Sequence, residues 1–259
     1  MAVTQVPNDF TDTQDVNNTL NGSSAGNTML MNGGNDTAWG NDGDDGLYGG
    51  SGNDKIFGGK GFDYIEGGTG NDSLSGDQQT DWLYGGAGND WISGGKAYDY
   101  IEGGAGNDIL SGDEGGDVIY GGSNNDTVYG GKGSDWIDGD SGNDKIYGNA
   151  GEDYMYGSGG DDTFYFASGD SNAANQDWIY DFRDGEDKLN VGKLTWDGKS
   201  GSGDPTDDAG VTIEDDGSDT TITFTATGNV GGVPVSVVTA SIVLVGFDSS
   251  KLDADDFSF

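Results

Sequence analysis

Fifteen aspartates recur at every ninth residue of this 259-residue chain, and carboxylates in such a regular array are suited to binding hard metal cations. They occupy the sixth position of fifteen consecutive nine-residue units, which run from 31 to 165 without an insertion or deletion. Aspartate also favours Asx-turns, but those turns tolerate Asn or Ser, and the sixth position never varies. The candidate metal ligands are Asp36, Asp45, Asp54, Asp63, Asp72, Asp81, Asp90, Asp99, Asp108, Asp117, Asp126, Asp135, Asp144, Asp153 and Asp162.

The other positions of the unit predict one short strand and one turn. Position eight is apolar in every unit, from Ala38 to Phe164, and positions seven to nine alternate with the strand period of two. Positions one to six are predicted to form the turn, because Gly holds position one in fourteen units and position four in twelve, and Gly accepts positive φ. Gln79, Ala97 and Asn124 replace the position-four Gly, so their turns are expected to be strained or to bind metal weakly.

Stacking of these units predicts an all-β fold, a parallel β-roll with two units in each coil. One apolar side chain per unit is too few for a core, but stacked coils align these side chains into a continuous column. Residues eighteen apart then become neighbours, and each pair of stacked turns brings two carboxylates and several carbonyls together. Hard oxygen ligands at this density suit calcium, whereas zinc is disfavoured because the chain has no His and no Cys. The topology predicts about 13 calcium ions.

The composition links this metal to folding. The formal charge is −37, and hydrophobic content is only 32%, so the chain without metal resembles a disordered polyanion. Folding and calcium binding are therefore expected to form one equilibrium. A nucleic acid partner is not expected, because nothing basic can meet its phosphates. The chain also lacks an N-terminal secretory signal pattern and an apolar run long enough to span a membrane.

Three segments are predicted: an N-terminal cap at 1–30, the roll at 31–165 and a C-terminal β cap at 166–259. Before the roll the repeat stays in phase but degenerates, with Asn18 and Asn27 at position six, which is typical of capping coils. After the roll, 193–210 is predicted to be loop-like, and the turn 215–218 joins an antiparallel hairpin. Segments 235–238 and 241–245 are predicted to add a second pair of strands.

The two faces of the roll are predicted to differ, because outward aromatic residues concentrate on one of them. Together with nearby acidic residues they are suited to stacking sugar rings or a partner's sheet. The alternatives are that a cross-strand aromatic ladder stabilises an exposed sheet, or that another segment covers it. The candidate ligand-face residues are Tyr64, Trp82, Tyr84, Tyr100, Tyr120, Trp136, Tyr154 and Tyr156.

Residues 31–165 resemble the calcium-binding β-roll of the repeats-in-toxin (RTX) family, on the strength of fifteen in-phase copies of Gly-Gly-x-Gly-x-Asp-x-apolar-x. The segments 162–189 and 255–259 resemble the C-terminal flanks of such proteins. The resemblance implies calcium coordination by the position-six aspartates and by turn carbonyls. It also implies unfolded passage through a type I secretion exporter that reads an uncleaved C-terminal signal, followed by folding in extracellular calcium.

The sequence does not predict an enzyme. With no His, the chain has neither a His-based zinc site nor a Ser-His-Asp triad. The leading hypothesis is a secreted calcium-binding protein with a structural or adhesive role at the cell surface or in the extracellular matrix. Alternatives are a polysaccharide-binding module on the aromatic face, a self-assembling filament or surface-layer subunit and, as the weakest, a membrane-pore protein.

Overall fold

Two flat sheets of parallel strands face each other and form a β-roll. The computed structural model describes residues 4–5, 9–12, 16–167, 175–191, 211–230, 233–252 and 254–258. The first strands are β1 (Thr4–Gln5), β2 (Asp9–Thr11), β3 (Thr19–Asn21), β4 (Thr28–Leu30), β5 (Thr37–Asp42), β6 (Gly46–Ser51), β7 (Lys55–Lys60), β8 (Tyr64–Thr69), β9 (Ser73–Gln78), β10 (Trp82–Ala87), β11 (Trp91–Lys96), β12 (Tyr100–Ala105) and β13 (Ile109–Glu114). The later strands are β14 (Val118–Ser123), β15 (Thr127–Lys132), β16 (Trp136–Ser141), β17 (Lys145–Ala150), β18 (Tyr154–Tyr156), β19 (Thr163–Tyr165), β20 (Asp177–Ile179), β21 (Lys188–Asn190), β22 (Val211–Asp215), β23 (Asp219–Val230), β24 (Val233–Val245) and β25 (Phe257–Ser258).

Successive strands alternate between the two sheets, so each coil contributes one strand to each sheet. The odd sheet has the order β1-β3-β5-β7-β9-β11-β13-β15-β17-β19-β21-β25, and the even sheet runs β2-β4-β6-β8-β10-β12-β14-β16-β18-β20-β24-β23-β22. Within the repeats all pairs are parallel with partners eighteen residues apart, as in Ile92 with Leu110 and Leu83 with Ile101. The parallel β-roll predicted from the sequence, with two units per coil, is confirmed.

The core is the predicted column of position-eight side chains. Every one of them, from Ala38 to Phe164, is fully buried at 0% exposure. Leu20 and Met29 extend the column toward the N-terminus, whereas Ile179 and Leu189 extend it toward the C-terminus. One large side chain from each strand is thus sufficient to form the core, because the corresponding side chains of the preceding and following coils cover it on both sides.

The strands are longer than predicted. In the central repeats each strand has six residues and includes positions one to three of the following unit, which the sequence had assigned to the turn. Positions two and three pair between coils, as Gly86 does with Gly104 and Ala87 with Ala105, so the backbone groups of these positions are satisfied within the sheet. The turn proper is reduced to positions four to six.

The N-terminal units follow the same register as the roll. Leu20 pairs with Ala38 and Met29 with Leu47, so the degenerate coils are in phase as predicted. The backbone N–H of Asn27 donates to Asp45 Oδ1 at 2.6 Å, which repeats the bond that links position-six residues in later coils. Parallel pairing thus extends outside 31–165, and the boundaries of the three segments stay a prediction.

The C-terminal strands first continue the roll and then form the predicted antiparallel cap. Strands β20 and β21 pair in parallel with β18 and β19, and β24 pairs in parallel with β20. The β22–β23 hairpin and the β23–β24 pair are antiparallel, so the cap extends the even sheet. The short 3₁₀ helices Ser249–Lys251 and Ala254–Asp256 precede β25.

The prediction of two separate strands at 235–238 and 241–245 is wrong. Both segments belong to the single strand β24, which pairs with β23 along nearly its whole length. The pairing register shifts between Phe224 and Thr225, so that Phe224 pairs with Ala240 and Thr225 with Val238. A β-bulge of this kind lets one strand continue through the point at which the sequence pattern is interrupted. The predicted loop at 193–210 lies outside the described residues.

Candidate calcium sites

The fifteen position-six aspartates lie at the ends of the turns, immediately before the strands, and their side chains are at most 3% exposed. One carboxylate oxygen of each links neighbouring coils. From Asp54 to Asp162, Oδ1 accepts a hydrogen bond of 2.7 to 2.9 Å from the backbone N–H of the aspartate eighteen residues earlier. The aspartates thus form two continuous ladders, one along each edge of the roll.

The second carboxylate oxygen, Oδ2, lacks the hydrogen bond that Oδ1 accepts. In the thirteen repeat aspartates from Asp36 to Asp144, Oδ2 is buried and has no hydrogen-bond partner. A buried negative charge that is not paired with a cation is destabilising by several kcal/mol, because one backbone N–H on Oδ1 does not replace the hydration that the carboxylate has lost. An array of thirteen such oxygens is therefore stable as carboxylate only if cations lie beside it.

Carbonyl oxygens supply the remaining donors of such a site. None of the described hydrogen bonds uses a position-four carbonyl from Gly34 to Gly151. The described residues contain no cluster of three or more acidic or other metal-binding side chains. The available donor set is therefore carboxylates with backbone carbonyls, a hard-oxygen set of the kind that calcium accepts in irregular geometry.

Glycine at position one is required for space rather than for positive φ, which corrects the reason predicted from the sequence. None of these fourteen glycines has a positive φ, whereas position two has one in every unit. A Cβ at position one would lie 2.2 to 2.8 Å from Oδ2 of the aspartate in the same unit. At Gly103 it would also lie 2.5 Å from the carbonyl oxygen of Gly121 in the next coil. Oδ2 and a carbonyl of the following coil thus face the same small space.

Burial raises the pKa values of these carboxylates by unequal amounts. It raises the pKa of Asp81 to about 9 and the pKa values of Asp99 and Asp126 to about 8. The backbone N–H donated from the preceding coil opposes the shift in part. The pKa of Asp54 rises to about 6. Without a cation, protons therefore compete strongly for these oxygens.

The calcium-free chain is expected to be most stable in acid. Because the folded pKa values are raised above the unfolded value near 3.8, the folded state binds more protons, and the resulting stability is complete below about pH 4. It is lost as the pH rises through about 6 to 9. Metal-free, dilute protein, heated while circular dichroism is recorded, should show a cooperative unfolding transition at pH 4 that is lost by pH 8. A Tm that rises over this interval would contradict the pKa shifts.

The comparison with known families agrees with this geometry. The model of the "RTX calcium-binding nonapeptide repeat (4 copies)" matches eight overlapping stretches that together cover 32–171, more than half of the chain. The chain belongs to this family. The matched stretches are 32–65, 48–83, 57–92, 84–119, 102–137, 111–146, 129–164 and 138–171.

Solved structures similar to this RTX chain include two subunits of a mannuronan C5-epimerase from Azotobacter vinelandii. AlgE6R3 is 25% identical with a TM-score of 0.32, covering 66% of this chain and 78% of that one. AlgE6R2 is 27% identical with a TM-score of 0.33, covering 65% and 91%. The extracellular lipase LipA of Serratia marcescens is 17% identical with a TM-score of 0.35, covering 96% of this chain and 40% of the lipase. No curated protein matches the sequence.

Three turns of the RTX roll carry a side chain in the left-handed region. Gln79, Ala97 and Asn124 at position four have φ values of 74°, 79° and 82°, so the predicted positive φ is confirmed at all three. Asn adopts this region with the least cost, whereas a β-carbon on Ala or Gln crowds the following carbonyl. Ala97 is exposed, so its Cβ gains no compensating burial.

Ala97→Gly is expected to stabilise the calcium-loaded protein by about 1 kcal/mol, because glycine removes the strain of a left-handed alanine. Chemical denaturation at saturating calcium measures the change. Ala105→Gly is the matched control, since Ala105 is also exposed but lies at the end of β12 without a positive φ. In that control the free energy of unfolding is expected to fall by about 0.5 to 1 kcal/mol, because glycine is more flexible in the unfolded chain. Equal effects of the two substitutions would rule out strain at Ala97.

Sequence reasoning missed two aspartates that continue the ladders. Asp177 Oδ1 accepts the N–H of Asp153 at 3.1 Å, and Asp187 Oδ1 accepts that of Asp162 at 3.0 Å. Their spacings from the preceding members are 24 and 25 residues, so they fall outside the nine-residue period. A signal was present: Asp177-Trp178-Ile179 and Asp187-Lys188-Leu189 both keep the Asp-x-apolar order of positions six to eight.

The two turn edges are unlike, which was also missed. On one edge, here named the Asn edge, Asn holds position five, and its Oδ1 accepts the backbone N–H of the residue one coil later at 2.7 to 3.0 Å. Position five of the opposite edge includes the exposed Phe62 and Tyr98. The Asn edge is formed by the turns that contain Asn35, Asn53, Asn71, Asn89, Asn107, Asn125 and Asn143.

All eight candidate ligand-face aromatics lie on the even sheet, between β8 and β18. Many of their rings contact one another: Tyr84 lies 5.3 Å from Tyr64 and 5.7 Å from Tyr100, and Tyr100 lies 5.7 Å from Tyr120. Trp82 and Trp136 are 43% and 39% exposed. Such contacts are those of a cross-strand ladder that stabilises the sheet. A ligand-binding role for this face stays a prediction. No helix among the described residues is long and apolar enough to span a membrane.

Proposed function

We propose that this RTX chain folds when it binds extracellular calcium, through the fifteen position-six aspartates and the turn carbonyls. The observation that carries the proposal is the pair of ladders whose Oδ2 atoms are buried without a partner from Asp36 to Asp144. Seven of these thirteen oxygens lie on the Asn edge and six on the opposite edge, and each faces a following coil.

The charge of the chain supports the coupling of folding to metal binding. About 13 calcium ions would neutralise roughly 26 of the negative charges, and the net charge is −37. Self-repulsion therefore opposes compaction until the ions are bound. A chain with this property stays unfolded where calcium is scarce and folds where calcium is abundant. This behaviour supports export through a type I secretion system, with a cap at 1–30, the roll at 31–165 and the secretion signal within 166–259.

For the folded protein we propose a structural or adhesive role at the cell surface or in the extracellular matrix, rather than an enzymatic one. A roll in which backbone bonds and ions link every coil to the next is a stiff support with two broad faces. The absence of His from the whole sequence disfavours the commonest hydrolytic sites. The exposed surfaces of the two sheets are then the part of the molecule that meets other components.

A calcium titration of the Asp99→Asn variant tests the metal sites. Asn keeps the Oδ1 acceptor but removes the charge, so the number of bound ions is expected to fall by one or two and the calcium midpoint of folding to rise. Isothermal titration calorimetry gives the ion count, and circular dichroism with size-exclusion light scattering gives folding and oligomeric state. Asp42→Asn is the control, because Asp42 is exposed and pairs with the exposed Lys60 rather than lying in a ladder. An unchanged ion count for Asp99→Asn would refute the site assignment.

A further inference from the structure

Arg183 lies at the last turn of the Asn edge, with its guanidinium among three oxygens. Its Nη2 donates to the carbonyl oxygen of Gly160, and lies 3.6 Å from Asp162 Oδ2 and 3.3 Å from Asp187 Oδ1. The opposite nitrogen, Nη1, pairs with Glu186 at 2.9 Å. The side chain is 37% exposed, and Nη2 is the nitrogen that meets these three oxygens.

Two of these oxygens, the Gly160 carbonyl and Asp162 Oδ2, are the terminal members of the sets that form the proposed calcium sites, and Asp187 Oδ1 is the terminal acceptor of the ladder. Gly160 is a position-four residue, Asp162 is the last position-six aspartate, and Asp187 is its partner in the next coil. In the preceding turns of the Asn edge, from Gly34 to Asp144, no described hydrogen bond uses the position-four carbonyl or the aspartate Oδ2. At the end of the Asn edge, the corresponding oxygens meet a cation that belongs to the chain itself.

We propose that the guanidinium of Arg183 takes the place of a calcium ion between the last two coils of the Asn edge, an inference that rests on the proposed calcium sites. Arginine is charged at any relevant pH, and its planar group presents several N–H donors to oxygens that would otherwise face an ion. Asp187 fits this role, since its Oδ2 accepts the backbone N–H of Arg183 at 2.8 Å and its Oδ1 accepts that of Asp162. Both carboxylate oxygens of Asp187 are therefore used by the protein.

Neighbouring contacts hold Arg183 in position. Phe182 is 7% exposed and packs between Phe164 at 6.4 Å and Phe247 at 5.4 Å, which closes the end of the core column. Asp181 accepts the backbone N–H groups of Gly157 and Ser158 at 2.9 and 2.7 Å. The C-terminal coil on this edge is thus held by protein groups alone. It forms an end onto which calcium-dependent coils can stack.

The location of ions in the wild-type protein is the direct test. A crystal grown in calcium, with data collected for the anomalous signal of calcium or of substituted terbium, should show ions along the Asn edge up to the pair Asp144–Asp162. It should show the guanidinium, and no ion, between Asp162 and Asp187. An ion at that last place would overturn the inference while leaving the proposed function intact. A crystal with no ions along either edge would overturn both.

Substitution of Arg183 gives a second, independent readout. Arg183→Gln is expected to bind one more calcium ion than the wild type, measured by native mass spectrometry, and to need more calcium for folding. Arg183→Lys keeps the positive charge, so its ion count should stay at the wild-type value. Lys60→Gln is a control for loss of an exposed charge, and it should not change the count. Equal ion counts and equal calcium midpoints for wild type and Arg183→Gln would show that Arg183 does not replace an ion.

Discussion

Removal of calcium is expected to convert this protein from a compact roll into an expanded chain. The thirteen unpaired Oδ2 atoms from Asp36 to Asp144 would be left buried without cations, and the net charge would return to −37. The unfolding free energy of a typical domain is only about 5 to 15 kcal/mol. Uncompensated burial of a few carboxylates, at several kcal/mol each, exceeds that margin. The effect is therefore expected to be complete rather than partial at neutral pH.

The measurement is circular dichroism with small-angle X-ray scattering, before and after addition of excess chelator at pH 7.5. The β-sheet signal should disappear, and the radius of gyration should approach about 55 Å, as for an unfolded chain of this length. Magnesium in place of calcium is the control. It demands near-octahedral geometry and releases its waters reluctantly, so it should not restore the roll. A chelated protein that keeps its β signal would show that the aspartates are satisfied in another way.

Gly103→Ala is expected to destabilise the roll strongly. The new Cβ would lie 2.6 Å from Asp108 Oδ2 and 2.5 Å from the carbonyl oxygen of Gly121, closer than real Cβ atoms approach other atoms. It would enter the space proposed for an ion, and the backbone on either side is fixed by pairing to adjacent coils. At saturating calcium, the free energy of unfolding is expected to fall by about 3 kcal/mol. The variant is also expected to bind at least one ion fewer than the wild type.

Chemical denaturation in calcium measures this loss, and Gly46→Ala provides a matched control. Gly46 also lies in the roll and has no positive φ, but the nearest atom to its added Cβ, in the side chain of Tyr48, would lie at an ordinary 3.4 Å. The control is expected to be neutral or slightly stabilising, because alanine restricts the unfolded chain. If both variants were equally stable, position one would have room for a side chain and the proposed ion site would lie elsewhere.

The nine-residue period of the sequence was sufficient to predict the fold, because each unit repeats the same pattern of one turn and one short strand. A single unit cannot bury its apolar position-eight side chain, so the units must stack. With two units in each coil, stacking places residues eighteen apart side by side and forms the buried column from Ala38 to Phe164. The extent of the strands did not follow. Glycine-rich positions one to three have low strand propensity, and only pairing with adjacent coils makes them part of the sheets.

The ends of the roll were harder to predict than its middle. Asp177 and Asp187 join the ladders after insertions, so their position depends on three-dimensional pairing rather than on sequence spacing. Arg183 is separated by twenty-three residues from the Gly160 carbonyl that it contacts, and no local pattern relates the two. Strand β24 was divided in the prediction because a bulge interrupts its register. Each of these misses at the ends concerns pairing that only the folded C-terminal part of the roll creates.

The register of eighteen residues per coil has a consequence for the length of the molecule. Fifteen units form seven and a half coils, and at about 4.8 Å per coil they span only about 36 Å along the roll axis. The same 135 residues, drawn out as a strand, have a contour length of about 450 Å. If loss of the ions unfolded the roll, the maximum distance between its two flanking segments would increase roughly tenfold, from the axial length of the roll to the contour length of the chain. The local calcium concentration would set how far apart anything joined to those segments can move.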